Sequence, residues 1–345
     1  MSWENVDSIS NIKIWSEYSN STQAHLFVNG RHQVLLTVGL SFTLLDAAQP
    51  GPDSDEVLSV LQLINNTDSG SLKYLAEVDK GQYNSVFDPS LQSSSGSGAS
   101  VDNGIYDYTY SFYLQSDRSI NVGGWSESVA LRLDYISYRN KSPQTVVYET
   151  SRLGSGIKTN VQICCYPERL YGNHGGRRTA LNIIERLNSV PVHVNHNQSS
   201  GSGFHSDLYA LYIDDDYFKI IAFDGQHAAD STALEPLSYY MVKEKPEYDQ
   251  IQNTHFPSVS PGKSSYDVEI NFREGAGSGT PMIEATVSVD QQEGDISFIA
   301  SYYDLQGDDS GQDHNGSVKI YFYDQFGNSG VALVNECPPE IVSVS

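Results

Sequence analysis

Strict alternation of apolar and polar residues is the feature that most constrains this chain. Between residues 34 and 44 every even position is apolar, and most odd positions are small or polar. Successive side chains of a β-strand point to opposite faces, so this pattern predicts a strand with one buried face. The apolar positions are Val34, Leu36, Val38, Leu40, Phe42 and Leu44.

The same alternation recurs in 106–114, 129–135, 266–272 and 283–289, with Gly, Ser, Asn and Asp between these segments. This pattern is typical of antiparallel strands that pack one face on a core and expose the other. The Asn29-Gly30 pair predicts a tight hairpin near the start of the chain, and 318–334 predicts a closing hairpin. The predicted core includes Leu36, Leu40, Phe42, Phe112, Leu133, Ile270, Val287 and Phe322.

The length favours two domains, because 345 residues exceed the roughly 250–300 at which a single core usually stops growing. We predict an all-β fold of two tandem antiparallel β-sandwich domains, immunoglobulin-like or jelly-roll-like, at 1–155 and 201–345. A connector, 156–200, is predicted to hold one short helix, capped by Thr179, with Leu181, Ile184 and Leu187 on one face. The segment after Asp53 fits a helix or a strand, and the sequence leaves both open.

The charge balance excludes one class of partner. Asp and Glu outnumber Lys and Arg by 43 to 20, for a formal net charge of -23. Such a field repels nucleic acid and favours cationic partners or divalent metals. There is also no apolar run of about 18 residues, so no membrane span is expected.

The start of the chain lacks the basic and then apolar regions of a secretory signal peptide. The sequence leaves the location open, and an extracellular, virion-surface or cell-surface one is favoured over a cytoplasmic one. No phosphate-binding loop, dinucleotide fingerprint, nucleophile elbow or zinc-protease motif occurs. The sequence therefore predicts neither a cofactor nor an enzyme.

Calcium is the metal that the sequence favours most. A Gly-rich loop crowds hard carboxylate oxygens, which calcium prefers, although its spacing does not match an EF-hand and a solvated turn is the alternative. The predicted ligands are Asp304, Asp308, Asp309 and Asp313.

Tyrosine is abundant, with 23 residues, and several lie on the polar faces of predicted strands. Exposed aromatic rings favour contact with other surfaces. The predicted contact residues are Tyr113, Tyr138, Tyr321 and Tyr323.

We expect a non-enzymatic binding or self-assembling structural protein, such as a surface, fibre, appendage or inclusion component. Its partner would be a protein surface, a glycan surface or another copy of itself. A secreted toxin or adhesin that binds a glycan or host surface, with or without calcium, is the alternative. A glycoside hydrolase that uses paired carboxylates on a β scaffold is the third.

Overall fold

The computed structural model describes most of the chain, and the structural statements below concern the residues that it describes. These are 2–16, 22–83, 87, 106–116, 124–137, 143–152, 160–174, 177–179, 181–189, 192–194, 204–213, 215, 217–227, 242–245, 250–255, 261, 264–273, 282–304, 317–336 and 339–342.

The described chain is mostly β-strand with one α-helix, and most neighbouring strands run antiparallel, which confirms the all-β prediction. It divides into two compact units: unit 1 is Met1–Arg169 with Phe326–Asn328, and unit 2 is Leu170–Gln325 with Ser329–Ser345. No helix within the described ranges is long and apolar enough to cross a membrane.

Unit 1 contains two sheets that bury their inner faces in one hydrophobic core. The first has the order β1-β3-β6-β5, and the second has the order β2-β9-β7-β4 with β8 paired to β7. Short 3-10 helices lie at Ser2–Asn5 and Thr150–Arg152. The strands are β1 (Val6–Ser16), β2 (Gln23–Val28), β3 (Gln33–Leu44), β4 (Leu61–Asn65), β5 (Leu75–Val78), β6 (Tyr108–Ser116), β7 (Ser126–Ser137), β8 (Gln144–Glu149) and β9 (Val161–Pro167).

The alternating pattern correctly identifies the buried faces. The even positions of β3 from Val34 to Phe42 are buried, and they pack with residues of both sheets. All of the predicted core residues that the structure describes at side-chain level are buried; Ile270 lies outside that set. The buried ones are Leu36, Leu40, Phe42, Phe112, Leu133, Val287 and Phe322.

The predicted opening hairpin is wrong. Strand β2 pairs in parallel with β9 in one sheet, whereas β3 pairs with β1 and β6 in the other. Gly30 does adopt positive φ, at 65°, as a tight turn requires. The Asn29 side-chain oxygen accepts hydrogen bonds from the backbone of Arg31 and His32, and the turn carries the chain from one sheet to the other.

The segment after Asp53 is a helix, α1 (Ser54–Val60), which runs directly into β4. Asp53 Oδ1 accepts the Glu56 amide at 2.8 Å, and Glu56 Oε2 accepts the Asp53 amide at 3.0 Å. This reciprocal capping box satisfies amides that a helix start leaves without partners. It resolves the ambiguity in favour of the helix.

In unit 2, three sheets have the orders β11-β10-β22-β21-β15 with β23 paired to β22, β12-β14-β20-β17-β16, and β13-β19-β18. The predicted closing hairpin is confirmed as β21 and β22. The strands are β10 (Tyr171–His174), β11 (Arg177–Thr179), β12 (Leu181–Ser189), β13 (Val192–Val194), β14 (Phe204–Ile213), β15 (Ile220–His227), β16 (Val242–Lys245), β17 (Gln250–His255), β18 (Ser264–Arg273), β19 (Met282–Gln291), β20 (Ile296–Asp304), β21 (Ser317–Asp324), β22 (Ser329–Glu336) and β23 (Pro339–Val342).

The predicted connecting helix is wrong. Its cap, Thr179, ends strand β11, and its body is β12, whose backbone pairs with β14 from Leu181 opposite Ile213 to Arg186 opposite Leu208. A single short helix is marginal without tertiary support. Here β14 offers a backbone ladder along the segment, and that pairing overrides the helical spacing.

Candidate functional site

Three of the four predicted contact tyrosines lie in the described part of the chain. Tyr113 is half-buried on β6 of unit 1, between Leu35 of β3 and Val78 of β5. Tyr321 and Tyr323 are half-buried on β21 of unit 2, on either side of the fully buried Phe322. Strand geometry places them on one face, opposite Phe322, while Tyr138 lies outside the described residues.

The predicted calcium ligands are mostly outside the description. The backbone of Asp304 ends β20, while Asp308, Asp309 and Asp313 lie beyond the described ranges. Within those ranges, no three His, Cys, Asp or Glu side chains come together in a metal-binding group. Calcium at this loop therefore stays a prediction.

The most fully built local site is one that the sequence did not indicate. It is the 66–74 loop, which joins β4 to β5 in unit 1. Glu127 of β7 is only 3% exposed. Its Oε1 accepts the Lys73 amide and the Asn65 side-chain amide, both at 2.8 Å, and its Oε2 accepts the Tyr74 amide at 3.1 Å. One buried carboxylate thus holds the end of the loop through hydrogen bonds from two backbone amides.

A second carboxylate holds the middle of the same loop. Ser69 Oγ donates to Glu149 Oε2 at 2.9 Å, and Ser69 has φ of 56°, which is uncommon for a residue with a side chain. Its amide donates to the Asn65 carbonyl at 2.9 Å. The Thr67 amide donates to Asn65 Oδ1 at 2.8 Å. The loop is therefore tied to β4, β7 and β8 at separate points.

The loop presents an aromatic ring. Tyr74 is 41% exposed, and its ring centroid lies 5.0 Å from that of Trp125 at an interplanar angle of 50°. Trp125 is half-buried and packs against the unit 1 core. Its indole N–H is buried and has no acceptor among the described residues. We call these two rings the Tyr74–Trp125 pair.

The same loop carries an exposed ion pair. Lys73 Nζ lies 2.8 Å from Asp68 Oδ2, and the two side chains are 51% and 46% exposed. The Lys73 hydrogen bond, followed by the Gly70 amide, holds the pKa of Asp68 below its usual value. The hydrogen bond to Asp68 raises the pKa of Lys73. Both groups are therefore charged around neutral pH, when each offers hydrogen-bonding atoms to solvent or ligand.

A second buried polar group in unit 1 is bonded differently. His32 is fully buried, and its Nδ1 accepts the Phe27 amide at 2.9 Å. The ring hydrogen must then sit on Nε2, which has no partner among the described residues. Ring centroids of Phe326, Phe27 and Phe87 lie 5.2, 5.6 and 6.3 Å from the imidazole. Burial lowers the pKa of His32 to about 3.

The 66–74 loop is suited to non-covalent contact, because it exposes the Tyr74 ring, which packs against Trp125, and the oppositely charged side chains of Lys73 and Asp68. Local sequence could identify a turn in 65–70, which is rich in Asn, Asp, Ser and Gly. It could not identify Glu127, which lies more than 50 residues further along the chain and faces the core side of β7. Compared with known protein families and with curated proteins, the chain matches none.

Proposed function

We propose that this chain is a non-catalytic binding or self-assembling protein that presents aromatic, tyrosine-bearing β surfaces. The finer architecture that goes with this proposal is two tandem antiparallel sandwiches, immunoglobulin-like or jelly-roll-like. The shared core of the two unit 1 sheets supports it for that unit. An extracellular, virion-surface or cell-surface location follows from the same proposal.

The observation that carries the proposal is the Tyr74–Trp125 pair on a loop whose backbone is held by Glu127. Holding an aromatic ring partly in water costs hydrophobic free energy unless a partner covers it. A loop that is ordered before binding also loses less entropy when the partner arrives. Exposed rings on ordered backbone are therefore suited to binding.

Charge decides how self-assembly would respond to salt. At a net charge of -23, copies repel one another, and moderate salt screens that repulsion while leaving apolar contacts in place. Association should therefore strengthen as salt rises. Tyr321 and Tyr323, which lie together on one face of β21, are the predicted contacts in unit 2.

Sedimentation velocity at about 20 mM and about 200 mM salt tests this, since the screening length shortens severalfold over that range. We expect more association at the higher salt, and less in Tyr321→Ser and Tyr323→Ser when each variant is measured well below its own melting temperature. Val147→Ser, at a 48% exposed position in unit 1, is the control and should associate as the unaltered protein does. A monomer at both salt concentrations that hydrolyses a glycan, and loses this activity when one Asp or Glu is replaced, would support the glycoside hydrolase instead.

Glycan binding by a toxin or adhesin is the second candidate function, and the Tyr74–Trp125 pair is the observation that favours it. Calcium dependence through Asp304, Asp308, Asp309 and Asp313 belongs to this second candidate. Millimolar calcium should then raise the melting temperature relative to a chelator, since a ligand that binds only the folded state stabilises it.

A further inference from the structure

We propose that the Tyr74–Trp125 pair is a binding subsite for a neutral pyranose sugar and that the Lys73–Asp68 ion pair is its polar rim. This inference rests on the proposed binding function and names a ligand class for it.

The rings provide the apolar part of the subsite. A pyranose has one face made of C–H groups, which packs against the flat face of Tyr or Trp, while its hydroxyls stay wet. Tyr74 is 41% exposed, so its ring can be approached from solvent. The ring centroids are only 5.0 Å apart at an interplanar angle of 50°, so the two rings contact each other and a sugar does not fit between them. The sugar would stack on the solvent-facing side of the Tyr74 ring, which packs against Trp125.

The position of the rings is set before a ligand arrives. Trp125 packs against the core, and the backbone amide of Tyr74 is bonded to Glu127. A tyrosine on fixed backbone has only two side-chain torsions to restrict. Binding therefore costs little ordering entropy, which matters for a weak, small ligand.

The rim provides the polar part. The Lys73 ammonium is a donor group, and the Asp68 carboxylate accepts only. Each sugar hydroxyl both donates and accepts, so two adjacent hydroxyls can bond to one ion of each sign. The two ions lie 2.8 Å apart, about the separation between neighbouring hydroxyl oxygens of a sugar.

Charge selects the class of sugar. The net charge of -23 disfavours sialylated, sulfated and uronic-acid glycans at long range. The rim itself is neutral, because Lys73 balances Asp68. A neutral hexose or N-acetylhexosamine unit fits both conditions.

The full chain should be tested on an array of immobilised neutral oligosaccharides, with sialylated and sulfated ones alongside, because dense display strengthens a weak single site through avidity. Tyr74→Ala should lower retention of neutral sugars by about tenfold or more, since the stacking ring is lost. Tyr74→Phe should stay within about threefold, because the ring face remains. Leu58→Ala is the matched control: Leu58 is 43% exposed, lies on α1, and should have no effect.

Two further variants keep the test decisive if Tyr74→Ala is unstable by circular dichroism melting. Asp68→Asn should weaken neutral-sugar retention by about threefold, the loss expected for one exposed charged hydrogen bond. In solution, a neutral oligosaccharide that is retained on the array should change tryptophan emission of the unaltered protein, and this change should disappear in Trp125→Phe.

Retention of acidic sugars only, of no sugar, or of neutral sugars equally by Tyr74→Ala overturns the subsite. Suppose that no sugar binds, that the unaltered protein still self-associates in a salt-dependent way, and that Tyr74→Ala does not. The pair is then a protein contact, and the proposed function stands without the sugar. If the unaltered protein hydrolyses a sugar and does not self-associate at either salt concentration, both the sugar subsite and the proposed function are overturned.

Discussion

Glu127 and His32 are both buried polar side chains of unit 1, but their hydrogen bonding differs. Both carboxylate oxygens of Glu127 accept hydrogen bonds, two of them from backbone amides of the 66–74 loop. The imidazole of His32 bonds through one nitrogen and leaves the other unbonded among the described residues, surrounded by phenylalanine rings. Glu127 thus has hydrogen bonds at both carboxylate oxygens, whereas burial keeps His32 neutral.

The difference shows two uses of a buried polar group. A carboxylate that bonds to backbone fixes the path of a loop, because backbone amides that lose their acceptor in a buried place cost free energy. A histidine buried among apolar rings must stay neutral, so its cost appears when the pH falls. The first group fixes the path of the loop, and the second makes unit 1 less stable as the pH falls.

Glu127→Ala should have the largest effect, lowering the free energy of unfolding by about 3–5 kcal/mol, because it leaves the Lys73 and Tyr74 amides and the Asn65 side chain without their acceptor. Urea denaturation measures the change. Glu127→Gln should cost less, since its remaining carbonyl oxygen can accept two of these bonds. A loss below about 1 kcal/mol in Glu127→Ala would show that water replaces the carboxylate and that the loop is not held as described.

Acid should have the next largest effect, through His32. Its folded-state pKa of about 3 lies below the unfolded value of about 6.5, so between these values the unfolded state binds more protons and stability falls as the pH falls. Lowering the pH from 6.5 to 4.5 should reduce the free energy of unfolding by about 2–3 kcal/mol through His32 alone.

His32→Asn isolates this contribution from the many carboxyl groups that also titrate in acid. It cannot titrate, and its side-chain oxygen can accept the Phe27 amide. The unaltered protein should therefore lose its advantage in unfolding free energy over His32→Asn as the pH falls from 6.5 to 4.5. His25→Asn is the control, because His25 is only half-buried and bonds to the Tyr166 hydroxyl. An identical acid slope for His32→Asn and the unaltered protein would contradict the assignment.

Asp53→Ala should have the smallest effect, about 1 kcal/mol, as is typical for loss of an N-cap. Like Glu127, Asp53 accepts a hydrogen bond from a backbone amide, but it does so at the surface, where water can take over. Chemical denaturation of Asp53→Ala and Glu127→Ala side by side measures how much burial adds to the free energy lost with each carboxylate. Equal losses for Asp53→Ala and Glu127→Ala would show that burial does not distinguish the two bonds.

Local sequence patterns predict part of the fold and little of the candidate site. The alternation around Leu36, Leu131 and Phe322 correctly marked buried faces, because period-2 patterning and burial are two aspects of one strand. The alternating pattern predicts that Tyr113, Tyr321 and Tyr323 are exposed, whereas the structure makes them half-buried. No local feature separates Tyr74 from the other tyrosines of the chain, so the sequence does not indicate its position at the 66–74 loop.

By itself, the sequence determined that the chain is built from strands, which side of many strands is buried, and that Asp53 and Glu56 could cap a helix. These properties depend on neighbours within a few residues. Only the tertiary structure decided that β2 and β3 belong to different sheets, that Leu181–Ser189 is a strand rather than a helix, and that Glu127 bonds to the 66–74 loop. The physical reason is that strand partners and buried hydrogen-bond partners are distant in sequence, so their energies appear only once the chain has folded.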